Sequence, residues 1–298
     1  MLGKIKNQHY IPQMYLNRFI DGENKLTVWN MSKDIILQGQ SARNYASIRY
    51  YYDSTKEELK KSLSETFRVY PELKEELNEF DCQLIEHGLG RVEADFAGVL
   101  RKIDVNDDTI YNAEVRNIIV IFLHLLSYRT ESFRMQMDNI NEVTKQHLLK
   151  MNVDINKVEN MGESGKSNQL YQLLGIRPLL KSANMLIENY NWYIGIVKGE
   201  MKLVISDDVA KNIRLGFNDI CIPISGDKGI IFRTIDETAP LISKDEPEGN
   251  IINLSERSVF AYNAMQLSHT NRFMFGNKYS LEFLRKINKN HYSKNGKG

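Results

Sequence analysis

Apolar and polar residues alternate in short runs at both ends of the chain and recur every three or four residues in its middle. Alternation puts successive side chains on opposite faces of a strand, and the longer spacing draws one buried stripe along a helix. Pro12 opens a short helix whose faces carry Met14, Tyr15, Phe19 and Ile20. DGEN (21–24) reads as a turn. KLTVWNM (25–31) and DIILQ (34–38) then read as a hairpin, and IRYYY (48–52) as a third strand.

From about 54 to 190 the pattern is helical. Behind Pro71, one long stripe joins Leu73, Leu77, Phe80, Ile85, Leu89, Val92, Phe96, Val99 and Ile103. A second helix is expected over about 113–150, apolar nearly all round in its middle. A third is expected over about 168–190, with a break before Pro178. Strands return with WYIGIVK (192–198) and KLVIS (202–206), a hairpin about GEM. DICIPIS (219–225) and GIIFRTI (229–235) repeat the arrangement about GDK. A helix from about 255 to 275, capped by Ser255, precedes a frayed basic tail from Lys278. The pattern predicts an α+β fold: a mixed or antiparallel β-sheet built from both chain ends around a large central helical region. Residues 1–53 and 191–298 form a composite β-containing unit. The helical region, 54–190, is either part of the same domain or an insertion.

Composition changes this picture little. In 298 residues, Lys+Arg number 39 and Asp+Glu 38, so no global charge points to nucleic acid or membrane. The two cysteines, Cys82 and Cys221, spell no disulfide framework and no cysteine zinc site, so the reducing cytoplasm is the expected location. The N-terminus has no apolar core of signal-peptide length. The longest apolar run, 118–126, is far short of the roughly 20 residues of a membrane span.

Several strings invite a chemical reading. GESGKS (162–167) resembles a phosphate loop, but Asn160 stands where the first glycine belongs and a polar segment where the strand belongs. A linker is expected there. Arg285 and His291 have the spacing of an arginine–histidine pair that cleaves phosphodiesters, yet they sit in the basic tail. Glu72, Glu79, Glu86 and Glu93 recur every seven residues along one helix side. Glu93 lies deepest in the apolar stretch and is expected to pair with Arg129 on the next helix. His9, Gln13 and Asn17 share one side of the first helical segment, where an imidazole titrates near neutral pH. Asp207 ends a strand, and Asn263 lies on the last helix before the tail.

QHYIPQMYLNRF (8–19) resembles the opening of a bacterial family of unknown function whose members begin with a His-Tyr-Val-Pro motif. KLTVWN, Glu93 in GRVEADF, Arg129-Thr130, LVISDD and IPIS fall in that family's order, as do Asn263 and Arg272. Glu131, Asp208 and Val209 depart from its pattern. The resemblance implies a setting in anti-phage defence. Two functions follow as expectations. One is a nuclease acting on RNA or DNA, with His9, Gln13, Asp207 and Asn263 converging from the chain ends, Glu93, Arg129 and Arg272 supporting them, and a divalent metal as a possible cofactor. The other is a non-enzymatic sensor that recognises a phage component and signals through a partner.

Overall fold

The computed structural model describes residues 4–21, 25–76, 81–154, 164–236 and 238–295. Gly22 and Asn24 of the expected turn lie outside them. So do Leu77 and Phe80 of the stripe, Glu79 of the glutamate series, Gly162 and Glu163 of GESGKS, and the side chain of His291.

Strand β1 (Asn7–His9) leads through Pro12 into α1 (Gln13–Leu16). β2 (Leu26–Asn30) and β3 (Ile35–Gln40) form the expected antiparallel hairpin, with Val28 opposite Leu37. β4 (Ser47–Arg49) runs antiparallel to β1 and sets Ser47 opposite His9.

The helices follow: α2 (Lys56–Ser62), α3 (Thr66–Val69), α4 (Leu73–Glu76), α5 (Leu84–Val105), α6 (Ala113–Tyr128), α7 (Glu131–Lys150), α8 (Gly165–Leu174) and α9 (Ile176–Glu188). Thr55 and Glu58 close a capping box over α2.

The last third contains β5 (Tyr190–Val197), β6 (Ile205–Ser206), α10 (Lys211–Leu215), β7 (Asp219–Pro223) and β8 (Lys228–Thr234). It ends with β9 (Pro247–Glu248), β10 (Ile251–Leu254), α11 (Glu256–His269), β11 (Phe273–Gly276) and α12 (Lys278–Asn295).

The α+β class holds, and strands from the two chain ends share a sheet. That sheet is antiparallel with order β3-β2-β11-β6, and Trp29 pairs with Met274. A second sheet, order β7-β8-β5-β10-β9, is mixed, because β10 runs parallel to β5 while β8 runs antiparallel to it. β1 and β4 form a separate ribbon. One apolar cluster joins Tyr15 and Phe19 near α1 to Phe96 of α5, Phe122 of α6, Phe232 of β8 and Phe275 of β11.

Five expectations need correction. The long stripe is two helices, α4 and α5. α5 starts only at Leu84, because Asp81 bonds the Gln83 amide (2.8 Å) and the Gln83 side chain is held by the backbone of Ile5 (2.8 and 2.7 Å). The helix expected over 113–150 is also two, α6 and α7, divided where Thr130 caps the Phe133 amide (3.2 Å). KLVIS does not return along WYIGIVK. β6 crosses to the other sheet and pairs with β11. The helix expected to 275 stops at His269, and β11 follows. The tail is not frayed: Leu281 and Leu284 of α12 are buried against Trp29, Val204 and Met274. Arg285 and Lys289 hold Asp34 (both 2.6 Å), which commits the arginine of the 285/291 pair to a carboxylate. Lys166 of GESGKS is likewise paired, with Glu58 (2.9 Å).

Candidate functional site: a cationic cleft at His9

Three residues of β1 pair with three of β4, and the ends of that ribbon are tightly turned. Ala46 and Tyr50, on either side of β4, have positive φ (both 53°). For residues with a Cβ this costs roughly 1–2 kcal/mol each, so the surroundings must hold it. They do: the Tyr10 amide donates to the Ala46 carbonyl (2.8 Å) and the Tyr50 amide to the Lys6 carbonyl (2.9 Å). Gln8 adds a clamp on the core side, accepting from the Tyr52 amide and donating to Asp53 (both 2.6 Å).

The corner between α6 and α7 fixes the end of β1. Arg129, 2% exposed, donates through Nη1 to Glu93 Oε1 (2.8 Å) and through Nη2 to the His9 carbonyl. Its own carbonyl accepts from the Tyr52 hydroxyl (2.7 Å). The expected Glu93–Arg129 pair therefore exists, and it grips the backbone of His9.

The His9 side chain lies within reach of both charges of that pair. It is 8% exposed and forms the buried part of an open cleft of about 580 Å³. The rest of the lining is Lys4, Lys6, Asn7, Gln13, Arg43 and Arg49, all exposed: four cations, two amides and no carboxylate. Lys6, Arg43 and Arg49 make no ion pair among the described residues; Lys4 has a long contact with Asp53 (3.6 Å) and, with Arg49, lies over the Tyr50 ring (4.8 and 5.7 Å). His9 Nδ1 lies 3.5 Å from the Gln13 amide nitrogen, while Nε2 is buried with no hydrogen-bond partner. Burial pulls the His9 pKa below its ordinary value, against the opposing pull of the Arg43 backbone and the Glu93 carboxylate. The imidazole is therefore neutral near pH 7 and keeps a lone pair. Chemically the cleft offers cations for an anion's oxygens and one nitrogen able to take a proton.

Glu86, in the first turn of α5, faces the same Arg129 and Glu93 charges that lie behind His9. Burial pushes its pKa up to about 7, Arg129 opposes this, and Oε2 has no partner.

The structure does not bring all the expected site residues together. His9 and Gln13 share the cleft. Asp207 does not line it: its carboxylate, 3% exposed, accepts from the amides of Asn271, Arg272 and Phe273 (2.7, 2.7 and 3.1 Å). Burial pushes its pKa up to about 6 against those bonds. Asn263, fully buried, donates to the Lys202 carbonyl (2.8 Å) and accepts from the Val204 amide (3.0 Å). Arg272 donates to Glu131. Asp208, where the chain departs from the expected motif, forms a buried two-pronged pair with Arg214 (3.0 and 2.8 Å). Among the described residues, no three His, Cys, Asp or Glu side chains are grouped as a metal would need.

Sequence reasoning missed Lys4, Lys6, Asn7, Arg43 and Arg49. A signal was present: residues 1–50 hold seven Lys and Arg (4, 6, 18, 25, 33, 43, 49) against three acids (21, 23, 34).

A family model described as protein of unknown function (DUF4238) matches residues 7–280. The chain belongs to that family. The family match begins at Asn7 and so takes in β1, His9, Gln13, Arg43 and Arg49, leaving Lys4 and Lys6 before it. No curated protein and no solved structure matches the chain. Among the described residues, no helix is long and apolar enough to cross a membrane.

Proposed function

We propose that this protein is a cytoplasmic effector of anti-phage defence that cleaves nucleic acid in the cleft at His9. The observation that carries the chemistry is the lining: four cations and no carboxylate around the imidazole of His9. Phosphodiesters present oxygens that such cations bind, and the charge that builds on them during cleavage is stabilised by the same groups. A neutral imidazole can then accept the nucleophile's proton. The Glu93–Arg129 pair serves as support, since it holds the His9 backbone rather than the substrate. The defence setting rests on the resemblance of residues 8–19 and the pieces that follow them.

One observation favours the sensor as a second reading. With Asp207 and Asn263 bonded to backbone, His9 is the one group with an ordinary pKa near neutrality in the cleft lining. A site that binds without cleaving needs no second proton-transfer group.

The test is phage protection in cells carrying wild type or His9→Ala, together with incubation of each purified protein with RNA and DNA, with and without divalent metal. We expect His9→Ala to remain folded and to lose protection and cleavage, the latter by about 10²–10⁴-fold. A folded His9→Ala protein with full protection and full cleavage contradicts the reading. Binding without cleavage by the wild type moves it to the sensor.

A further inference from the structure

We infer that the cleft takes single-stranded nucleic acid, and that one base of the strand stacks on Tyr50 at its rim. This names the form of substrate for the proposed function and rests on that reading.

Three tyrosines follow one another after β4, and the fold treats them differently. Tyr51 and Tyr52 are buried, and their hydroxyls donate to the carbonyls of Thr130 (3.3 Å) and Arg129 (2.7 Å). Tyr50 is 36% exposed, and its hydroxyl has no hydrogen bond among the described residues. It joins none of the apolar clusters there. Its φ of 53° suits glycine or asparagine better than a bulky side chain. Neither packing nor turn geometry asks for an aromatic ring at this position, which makes the strained residue a candidate for function.

The ring's neighbours place it. Lys4 Nζ lies 4.8 Å from its centroid and the Arg49 guanidinium 5.7 Å, and both cations also line the cleft. The ring therefore stands at the rim, among groups that bind phosphate. A phosphate offers these cations a full charge where the ring offers only a quadrupole, so an arriving strand draws them off the ring. A base then takes the face they leave. The exchange is favourable, because a base stacked on an aromatic ring outweighs an exposed cation–π contact.

The same step selects the form of nucleic acid. A single strand has base faces to offer. Within a duplex those faces are covered by the neighbouring pairs, so a duplex gains the phosphate contacts alone.

The experiment uses the full-length protein with one sequence in four forms: single-stranded RNA, single-stranded DNA, the same DNA backbone without bases, and duplex DNA. Affinity is read by fluorescence anisotropy at low salt, and cleavage is followed in the same samples. We expect the wild type to bind both base-bearing single strands at least about fivefold tighter than the abasic strand. Tyr50→Leu should weaken those two at least about fivefold and leave the abasic strand and the duplex within about twofold, while Tyr50→Phe keeps wild-type affinity. Damage to the ribbon, or a displaced Lys4 or Arg49, would weaken all four forms alike. A loss on RNA alone or on DNA alone upholds the stacking and names the nucleic acid. Equal affinity of the wild type for abasic and base-bearing strands, or equal affinities of Tyr50→Leu and wild type for every form, or equal weakening of all four forms, overturns this inference and leaves the proposed cleavage standing. The expected pattern without cleavage upholds the stacking and removes the nuclease chemistry. No binding of any form overturns both.

Discussion

Glu86 is the residue whose environment fits its chemistry least. It is an acid half-sunk beside Arg129 and Glu93, with one carboxylate oxygen unbonded. Its folded pKa of about 7 lies above the ordinary 4.5, so the fold holds a proton there that the unfolded chain releases. A raised acid favours folding at low pH and loses that contribution as pH rises through the folded value. Glu86→Gln should therefore stabilise the protein at pH 8 by on the order of 1 kcal/mol, discounted for solvent access, and change little at pH 5. Urea denaturation at the two pH values checks this, and an equal effect at both contradicts it. At this scale the sequence was partly legible. Glu93 and Arg129 were readable as a pair, because both interrupt apolar stripes and a buried charge needs a partner. Asp207 was not, because a strand-end carboxylate that caps backbone amides and one that serves chemistry look alike in sequence. The rim cations were missed because exposed Lys and Arg carry no periodic signature, and their convergence depends on the β1–β4 pairing.

Among the elements, the crossing segment 202–206 shows why a strand pattern alone misplaces a partner. Its apolar run, Leu203 to Ile205, reads as a strand, yet much of its hydrogen bonding comes from side chains of α11. Asn263 bonds Lys202 and Val204, and Gln266 bonds the Ser206 amide (3.0 Å) and hydroxyl (2.8 Å). Two side-chain amides three positions apart on one helix thus imitate a neighbouring strand. Asn263→Leu leaves the Val204 amide without its bond and the Lys202 carbonyl with only the Ser280 hydroxyl (3.0 Å). The expected loss is about 2–4 kcal/mol of stability, measured by chemical denaturation, with cleavage per folded molecule unchanged. A loss of cleavage at full stability would instead make Asn263 part of the site. The same physics hid the α6–α7 corner. Apolar periodicity runs through Arg129 and Thr130 without a proline or glycine, and the stop comes from the Thr130 cap on Phe133 together with tertiary bonds to Tyr52 and Asp208.

Over the whole molecule, charge nearly cancels, at +1, while the N-terminal ribbon concentrates cations on one cleft. That contrast gives the central claim its most direct measurement: the salt dependence of binding to a single-stranded oligonucleotide. Each phosphate neutralised on a single strand contributes about −0.7 to the slope of log affinity against log salt, so four cations predict about −3. The measurement compares wild type with an Arg43→Gln/Arg49→Gln double variant, both positions exposed and outside the core. The account predicts a slope near −3 for the wild type. For the double variant it predicts a slope shallower by about 1–2 and an affinity at least about tenfold weaker at low salt. Equal affinity and equal slope in the two proteins would contradict it, and the cleft at His9 would not be where this chain meets nucleic acid.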